Sequence, residues 1–169
     1  MRRTLLLCKK SRFTKVSSVV AGGRERQHSV WKGLRAFRES PVVVLVHDAV
    51  RPLVSRRVIN AVVGQAGRYG AAIAAVPVKD TIKLEGRRGF FAKTISRHRL
   101  WAAQTPQGFS YDILVKAHVK ARRRGFLGTD EASLVERLGI PIRIVQGEYR
   151  NVKLTTPDDL KMARGMISR

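Results

Sequence analysis

Val42-Val43-Val44-Leu45-Val46-His47-Asp48-Ala49-Val50-Arg51-Pro52 is the stretch that decides the fold. Its first five residues are apolar and all but one are β-branched, with no polar alternation. That is the pattern of a strand buried on both faces. Such a strand needs a cover on each side, which predicts a layered α/β sheet. The strand delivers His47-Asp48 at its carboxyl end, in the crevice where open α/β sheets take their ligands. A carboxylate there can hold a hard cation such as Mg²⁺, which prefers one or two carboxylates plus phosphate oxygens and water. Arg51, three residues on, can reach an anion in the same crevice. An aspartate at this place can equally cap the following turn, and residue type alone leaves both readings open.

Upstream, Ser17 to Ala21 reads as a strand and Gly22-Gly23 as a turn. Arg26 to Phe37 reads as a helix whose apolar face carries Val30, Leu34 and Phe37. Downstream, Ser55 caps a helix to about Tyr69, and Ala71 to Val76 is the next strand. This alternation predicts a mainly parallel sheet. It breaks at Asp80 to Leu84 and Phe90 to Ser96, strand-like runs flanking Glu85-Gly86-Arg87-Arg88-Gly89. They predict a β-hairpin arm, at about residues 79–100, that protrudes from the sheet. After Leu100 to Thr105 the rhythm returns, with helices at Ser110 to Arg124 and Asp130 to Leu138 and strands at Ile142 to Val145 and Asn151 to Leu154. Thr156 is the N-cap of a last helix with Pro157 at its first position. No repeat or linker divides the chain, so residues 1–169 read as one domain.

Size and charge agree with this. The 169 residues are 44% hydrophobic, enough for one substantial core. The apolar runs are far too short to span a membrane. Cys8 is the only cysteine, which excludes an internal disulfide and fits a reducing cytoplasm. The 34 Lys and Arg against 12 Asp and Glu give a net charge of +22, a field that draws in phosphates of any kind. The basic residues are spread along the chain, Arg122-Arg123-Arg124 being the one tight run, and aromatics are few, which disfavours a nucleic-acid partner. Met1 to Val16 carries six basic residues and no acid. An organelle-targeting segment is one reading of it; a strand remnant at Thr4 to Cys8 followed by a basic loop is the preferred one.

Further clusters put small polar or cationic groups at segment ends: Asp80-Thr81-Ile82-Lys83, Gln104-Thr105-Pro106-Gln107 and Gly128-Thr129-Asp130-Glu131-Ala132-Ser133. Thr129 or Asp130 reads first as a helix N-cap. Lys153 and Arg97 read first as solvated positions, and Gly22-Gly23 as a plain tight turn that matches no phosphate-loop fingerprint. His28, His47, His98 and His118 show no ligand spacing.

Six segments in order carry a resemblance that these readings lack singly. They are Ala21-Gly22-Gly23-x-Glu25-Arg26-x-x-Ser29-Val30, Val46-His47-Asp48-Ala49-x-Arg51-Pro52, Val76-Pro77-Val78-x-Asp80-Thr81-Ile82-Lys83, Thr105-Pro106-Gln107, Thr129-Asp130-Glu131-Ala132-Ser133 and Asn151-x-Lys153-x-Thr155-x-Pro157-x-Asp159-Leu160. Together they resemble the 2-C-methyl-D-erythritol 4-phosphate cytidylyltransferase family over residues 17–165. The resemblance implies a Rossmann-like, glycosyltransferase-A-like nucleotidyltransferase sheet with a protruding β-arm. It implies transfer of a cytidylyl group from CTP to methylerythritol phosphate with Mg²⁺, in non-mevalonate isoprenoid precursor synthesis. By the same resemblance Gly23 and Ser29 touch the cytidine, and Asp48 serves Mg²⁺ and the acceptor hydroxyls. Arg51, Thr105 and Thr129 line the acceptor pocket, and Lys153 stabilises charge on the phosphates. Thr81 and Arg97 reach from the arm into a partner subunit's site, so a homodimer is implied. The chain departs from the family in two places. Nothing before Ser17 resembles the family's Gly-rich triphosphate loop, so Met1 to Val16 reads as an altered start, and Arg24 is a base where an acid is usual. Two rivals follow: a ribitol 5-phosphate cytidylyltransferase on the same scaffold, and an inactive phosphate- or nucleic-acid-binding remnant.

Overall fold

The computed structural model describes residues 2–167. In chain order the elements are α1 (Arg2–Lys10), α2 (Arg26–Leu34), β1 (Val43–Val46), α3 (Arg56–Tyr69), β2 (Ala71–Pro77), β3 (Ile82–Glu85), β4 (Phe91–Ile95), β5 (Trp101–Ser110), α4 (Tyr111–Arg123), α5 (Glu131–Glu136), β6 (Arg143–Gln146) and α6 (Pro157–Ile167). One sheet has the order β1-β5-β2-β6, and β3 pairs with β4 alone as a separate ribbon. None of the helices is long and apolar enough to cross a membrane among the described residues.

The sheet is covered on both faces, as the all-apolar β1 requires. Alternate residues of each strand go to opposite sides. On one side Val44, Ala71 and Phe109 join Leu34 of α2, Leu114 and Ala117 of α4, and Leu134 and Val135 of α5. On the other, Ala72, Ala74 and Val145 pack on Val58, Val62 and Ala66, one stripe of α3. Full burial of an apolar side chain of this size contributes roughly 1.5–3 kcal/mol, so the α3 stripe alone secures that face. The helix starts where it should: the Ser55 hydroxyl accepts the Val58 N–H at 3.3 Å. It ends at Gly70, whose φ of 82° is the left-handed C-cap conformation that glycine favours. Gly108 has a packing reason instead. A Cβ there would lie 2.8 Å from Val62 Cγ1 and 3.0 Å from Ala66 Cβ, so its absence lets α3 lie close on β5.

The sheet is not mainly parallel as expected. β5 runs antiparallel to both β1 and β2, and only β2 with β6 is parallel. The difference arises because β5 continues ten residues to Ser110, past the Thr105 at which the sequence reading stops. Pro106 and Gly108 are strand-breaking types, but the ladder accommodates them. Ile73 faces Gln107 and Ala75 faces Ala103, so Gln104, Thr105 and Pro106 bulge opposite the single residue Ala74.

Three further expectations are corrected. Thr4 to Cys8 lies in a helix, α1, not a strand remnant; Leu5, Leu6 and Leu7 are unbranched at Cβ and flanked by Arg and Lys, all competent helix formers. Ser17 to Ala21 and Asn151 to Leu154 make no strand, since neither has a ladder partner; the second is tied down by the Leu154 N–H to the Val50 carbonyl at 2.8 Å. The helix expected to reach Phe37 ends at Leu34. The arm and α6 form close to where the sequence puts them. At α6, Asp159 accepts the Thr155 and Thr156 N–H groups at 2.8 Å each while its own N–H reaches the Thr156 hydroxyl.

Candidate active site

At the carboxyl end of β1 the chain turns, with the Arg51 N–H on the Asp48 carbonyl at 2.9 Å. The Asp48 side chain does not cap this turn. It points into a cleft of about 220 Å³ lined by Arg26, Asp48, Arg51, Gln104, Thr105, Gln107, Thr129, Asp130 and Lys153. One carboxylate oxygen, Oδ1, faces Arg26 Nε and Nη2 at 3.3 Å each, and Oδ2 faces Lys153 Nζ at 3.4 Å. Burial raises the Asp48 pKa, but the two cations outweigh it and hold the carboxyl below its ordinary range. Asp48 is therefore ionised at neutral pH with a cation on either side.

The bulge in β5 supplies the floor. Thr105 Oγ1 accepts the Asp48 N–H at 3.0 Å and lies 3.0 Å from His47 Nδ1. His47 Nε2 is 3.1 Å from the Arg51 carbonyl, which can only accept. In the neutral ring Nε2 thus carries the proton and Nδ1 accepts, so the Thr105 hydroxyl donates to His47. The chain Arg51 carbonyl, His47, Thr105, Asp48 N–H fixes the turn that presents Asp48. Arg51 in turn donates to the Asn151 carbonyl at 2.6 Å. Gln104 Nε2 donates to the Glu148 carbonyl at 3.0 Å, and buried Asn151 Nδ2 donates to the Thr105 carbonyl at 2.9 Å. These bonds pin residues 148–153 beside β5 and bring Lys153 to Asp48. On the opposite rim Gln107 Nε2 donates to Asp130 Oδ2 at 2.8 Å, while Asp130 caps α5 through the Ser133 N–H at 2.9 Å. Of the two N-cap candidates that the sequence offers, Thr129 and Asp130, it is Asp130 that caps the helix.

The structure brings Asp48, Arg51, Thr105, Thr129 and Lys153 together around this one cleft. Gly23 stands on the loop into α2 and Ser29 in the first turn of that helix; the Gly23 N–H meets the Ser29 hydroxyl at 2.9 Å and that hydroxyl donates to the Glu25 carbonyl at 3.2 Å. A Cβ on Gly23 would lie 2.3 Å from His28 Cβ, so the turn itself demands glycine. Thr81 and Arg97 are exposed at the root of the arm and lie outside the cleft of their own chain. Sequence reasoning gave no role to Arg26, Gln107 or Glu131. Arg26 carried a legible signal, since a cation at the first position of a helix opposes the helix dipole and calls for a nearby carboxylate. Among the described residues no three metal-ligating side chains cluster. A cation at this site would rest on Asp48 and on ligand oxygens, the arrangement Mg²⁺ commonly adopts.

The family model of IspD, 2-C-methyl-D-erythritol 4-phosphate cytidylyltransferase, matches residues 3–169. The chain belongs to that family. The match takes in most of the segment before Ser17. A 2-C-methyl-D-erythritol 4-phosphate cytidylyltransferase of Pelotomaculum thermopropionicum is 54% identical over 153 residues, 90% of this chain and 64% of that protein. One of Geobacillus thermodenitrificans is 50% identical over 96% of this chain and 70% of its own length. The chain thus spans about two thirds of the relatives it matches. The crystal structure of the Thermus thermophilus cytidylyltransferase superposes with a TM-score of 0.82 at 39% identity, covering 89% of this chain and 72% of that one. The Anaerococcus prevotii 4-diphosphocytidyl-2C-methyl-D-erythritol synthase gives 0.88 at 27% identity over 99% and 74%. The Rossmann-like nucleotidyltransferase fold of the family is therefore the fold of this chain.

Proposed function

We propose that the chain acts in transfer of the cytidylyl group of CTP to 2-C-methyl-D-erythritol 4-phosphate, releasing pyrophosphate. The observation that carries this reading is an ionised carboxylate, Asp48, set between Arg26 and Lys153 in a cleft that also holds Arg51, Thr105 and Thr129. An oxygen of the acceptor phosphate attacks the α-phosphorus; a new P–O bond forms, and the bond to the pyrophosphate oxygen breaks with its electron pair leaving on pyrophosphate. Such a transfer asks the protein for positioning and charge neutralisation more than for covalent chemistry. Mg²⁺, held by Asp48 and phosphate oxygens, would supply charge neutralisation and orientation when bound. Lys153 stabilises charge on the phosphates, Arg51 and Thr129 orient the acceptor, and Thr105 fixes Asp48 through the hydrogen bond to its N–H. Gly23 and Ser29 shape the loop that meets the cytidine. A cytoplasmic location goes with this reading.

The test is pyrophosphate release from CTP and Mg²⁺ with methylerythritol phosphate and, separately, with ribitol 5-phosphate. Release that depends on the first acceptor is expected. Equal rates with ribitol phosphate would replace the acceptor, and salt-sensitive nucleic-acid binding with no CTP binding would replace the reading altogether.

The arm is proposed to form a homodimer that places Thr81 and Arg97 in the partner's cleft. Its support is physical: β3 and β4 pair only with each other, and Leu84, Phe90 and Phe91 are 47%, 74% and 73% exposed. A lone two-stranded ribbon is marginal in water. Sedimentation at micromolar concentration is expected to show a dimer that Phe90→Ser with Phe91→Ser weakens. A wild-type monomer would remove the role given to Thr81 and Arg97.

A further inference from the structure

We infer that Arg26, anchored from behind by the buried Glu131, is an additional ligand-binding residue of the cleft, which takes a phosphate oxygen of the acceptor in exchange for Asp48. The inference rests on the reading that this cleft receives a phosphorylated acceptor. Arg26 and Glu131 are both misfits where they stand. Arg26 is the first residue of α2, where the helix dipole disfavours a cation, and the helix gains nothing from it there. Glu131 is the first residue of α5 and only 1% exposed, yet its Oε1 has no hydrogen-bond partner, while its Oε2 meets Arg26 Nη1 at 2.5 Å. A buried carboxylate with one oxygen unmet is expensive, and an apolar pair of similar size would serve packing as well or better. The charges are therefore explained by what Arg26 does on its open side.

The two contacts of Arg26 are unequal. The one to Glu131 is short and enclosed. The one to Asp48 places two guanidinium nitrogens on a single oxygen at 3.3 Å, beyond the ordinary range of such bonds. The Arg26 side chain is 36% exposed and lines the cleft. An incoming phosphate thus competes for the weaker contact while the stronger one keeps the guanidinium in place. A planar fork with five N–H donors can hold Glu131 with one edge and a phosphate with another, which an ammonium cannot do. Displacement also frees Asp48 Oδ1 to accept from an acceptor hydroxyl, so one ligand satisfies both groups that the empty cleft pairs with each other.

The experiment uses the 169-residue chain and two probes, methylerythritol 4-phosphate and unphosphorylated methylerythritol, titrated by calorimetry without nucleotide. Arg26→Met with Glu131→Gln removes both charges together and leaves no buried ion unpaired. It is expected to weaken the phosphorylated probe about tenfold, the size of one charge-assisted hydrogen bond, and to leave the other probe unchanged. Arg26→Lys is expected to recover part of that loss. Glu131→Gln alone, an isosteric change, is expected to weaken only the phosphorylated probe by a few-fold, and it reads the same role if the double variant does not fold. A double variant, or failing it Glu131→Gln, that keeps the wild-type ratio of the two affinities overturns the role of Arg26 while sparing the cleft. A wild-type chain that binds the two probes equally, or neither, overturns the acceptor reading and the inference with it.

Discussion

Asp48→Asn is expected to lower turnover about 10²-fold or more, against a change of less than about threefold for Lys79→Ala. The asparagine keeps the shape of the side chain and the backbone bond to Thr105, so the turn after β1 should survive. What goes is the negative charge between Arg26 and Lys153. Two cations then face each other across a neutral amide, and the carboxylate proposed to hold Mg²⁺ is lost. Lys79 belongs to the same basic chain but has a different setting. Its ammonium sits over the Tyr149 ring, 3.4 Å from the centroid, and Tyr149 donates to the Pro77 carbonyl at 2.8 Å. It steadies the root of the arm and adds only to the general field. The measurement is pyrophosphate release with methylerythritol phosphate on the chain itself. Comparable losses from both substitutions would show that Asp48 does not hold the position assigned to it.

The parts of this site that were legible in the sequence share a cause. Asp48 was placed because an uninterrupted apolar strand can end only at the rim of a sheet, and Ser55, Thr156 and the Thr129-Asp130 pair because capping needs a side-chain oxygen at a fixed distance from the N–H that it meets. Those are local rules. The antiparallel course of β5 was not legible, because Pro106 and Gly108 look like strand breakers until β2 accommodates them with a bulge and α3 lies against the bare Gly108 backbone. The same bulge turns Gln104 and Thr105 toward Asn151 and Asp48, so the floor of the site was hidden by the feature that hid the strand. Pairings across more than twenty residues, Arg26 with Asp48 and with Glu131, were hidden for a different reason. Their partners are set by how the start of α2 lies against the end of β1 and the start of α5, and no periodicity records that.

His118 shows how far a residue without a motif can matter. It is fully buried in α4, stacked on Trp31 with ring centroids 5.8 Å apart, and neither ring nitrogen has a hydrogen-bond partner. Burial, with Arg122 and Arg26 adding to it, lowers its pKa to about 4 from 6.5. The folded protein therefore holds the neutral ring, while the unfolded chain takes up a proton below 6.5. For a depressed histidine the sign is fixed: its contribution is fully present above pH 6.5 and is lost as pH falls toward 4. The whole window is worth about 3 kcal/mol, and about 2 kcal/mol of it should disappear between pH 7 and pH 5. Glu131 acts in the opposite sense, since burial holds its carboxyl above the ordinary range and protonation favours the fold. The difference between wild type and His118→Leu isolates the histidine from that and every other group. Leucine fills a similar volume, removes both orphaned nitrogens and cannot titrate. Urea unfolding at pH 7 and pH 5 is expected to show the variant losing about 2 kcal/mol less than wild type over that interval, with equal or greater stability at pH 7. Parallel losses in the two proteins would mean that the His118 ring finds a proton acceptor or solvent in the folded state.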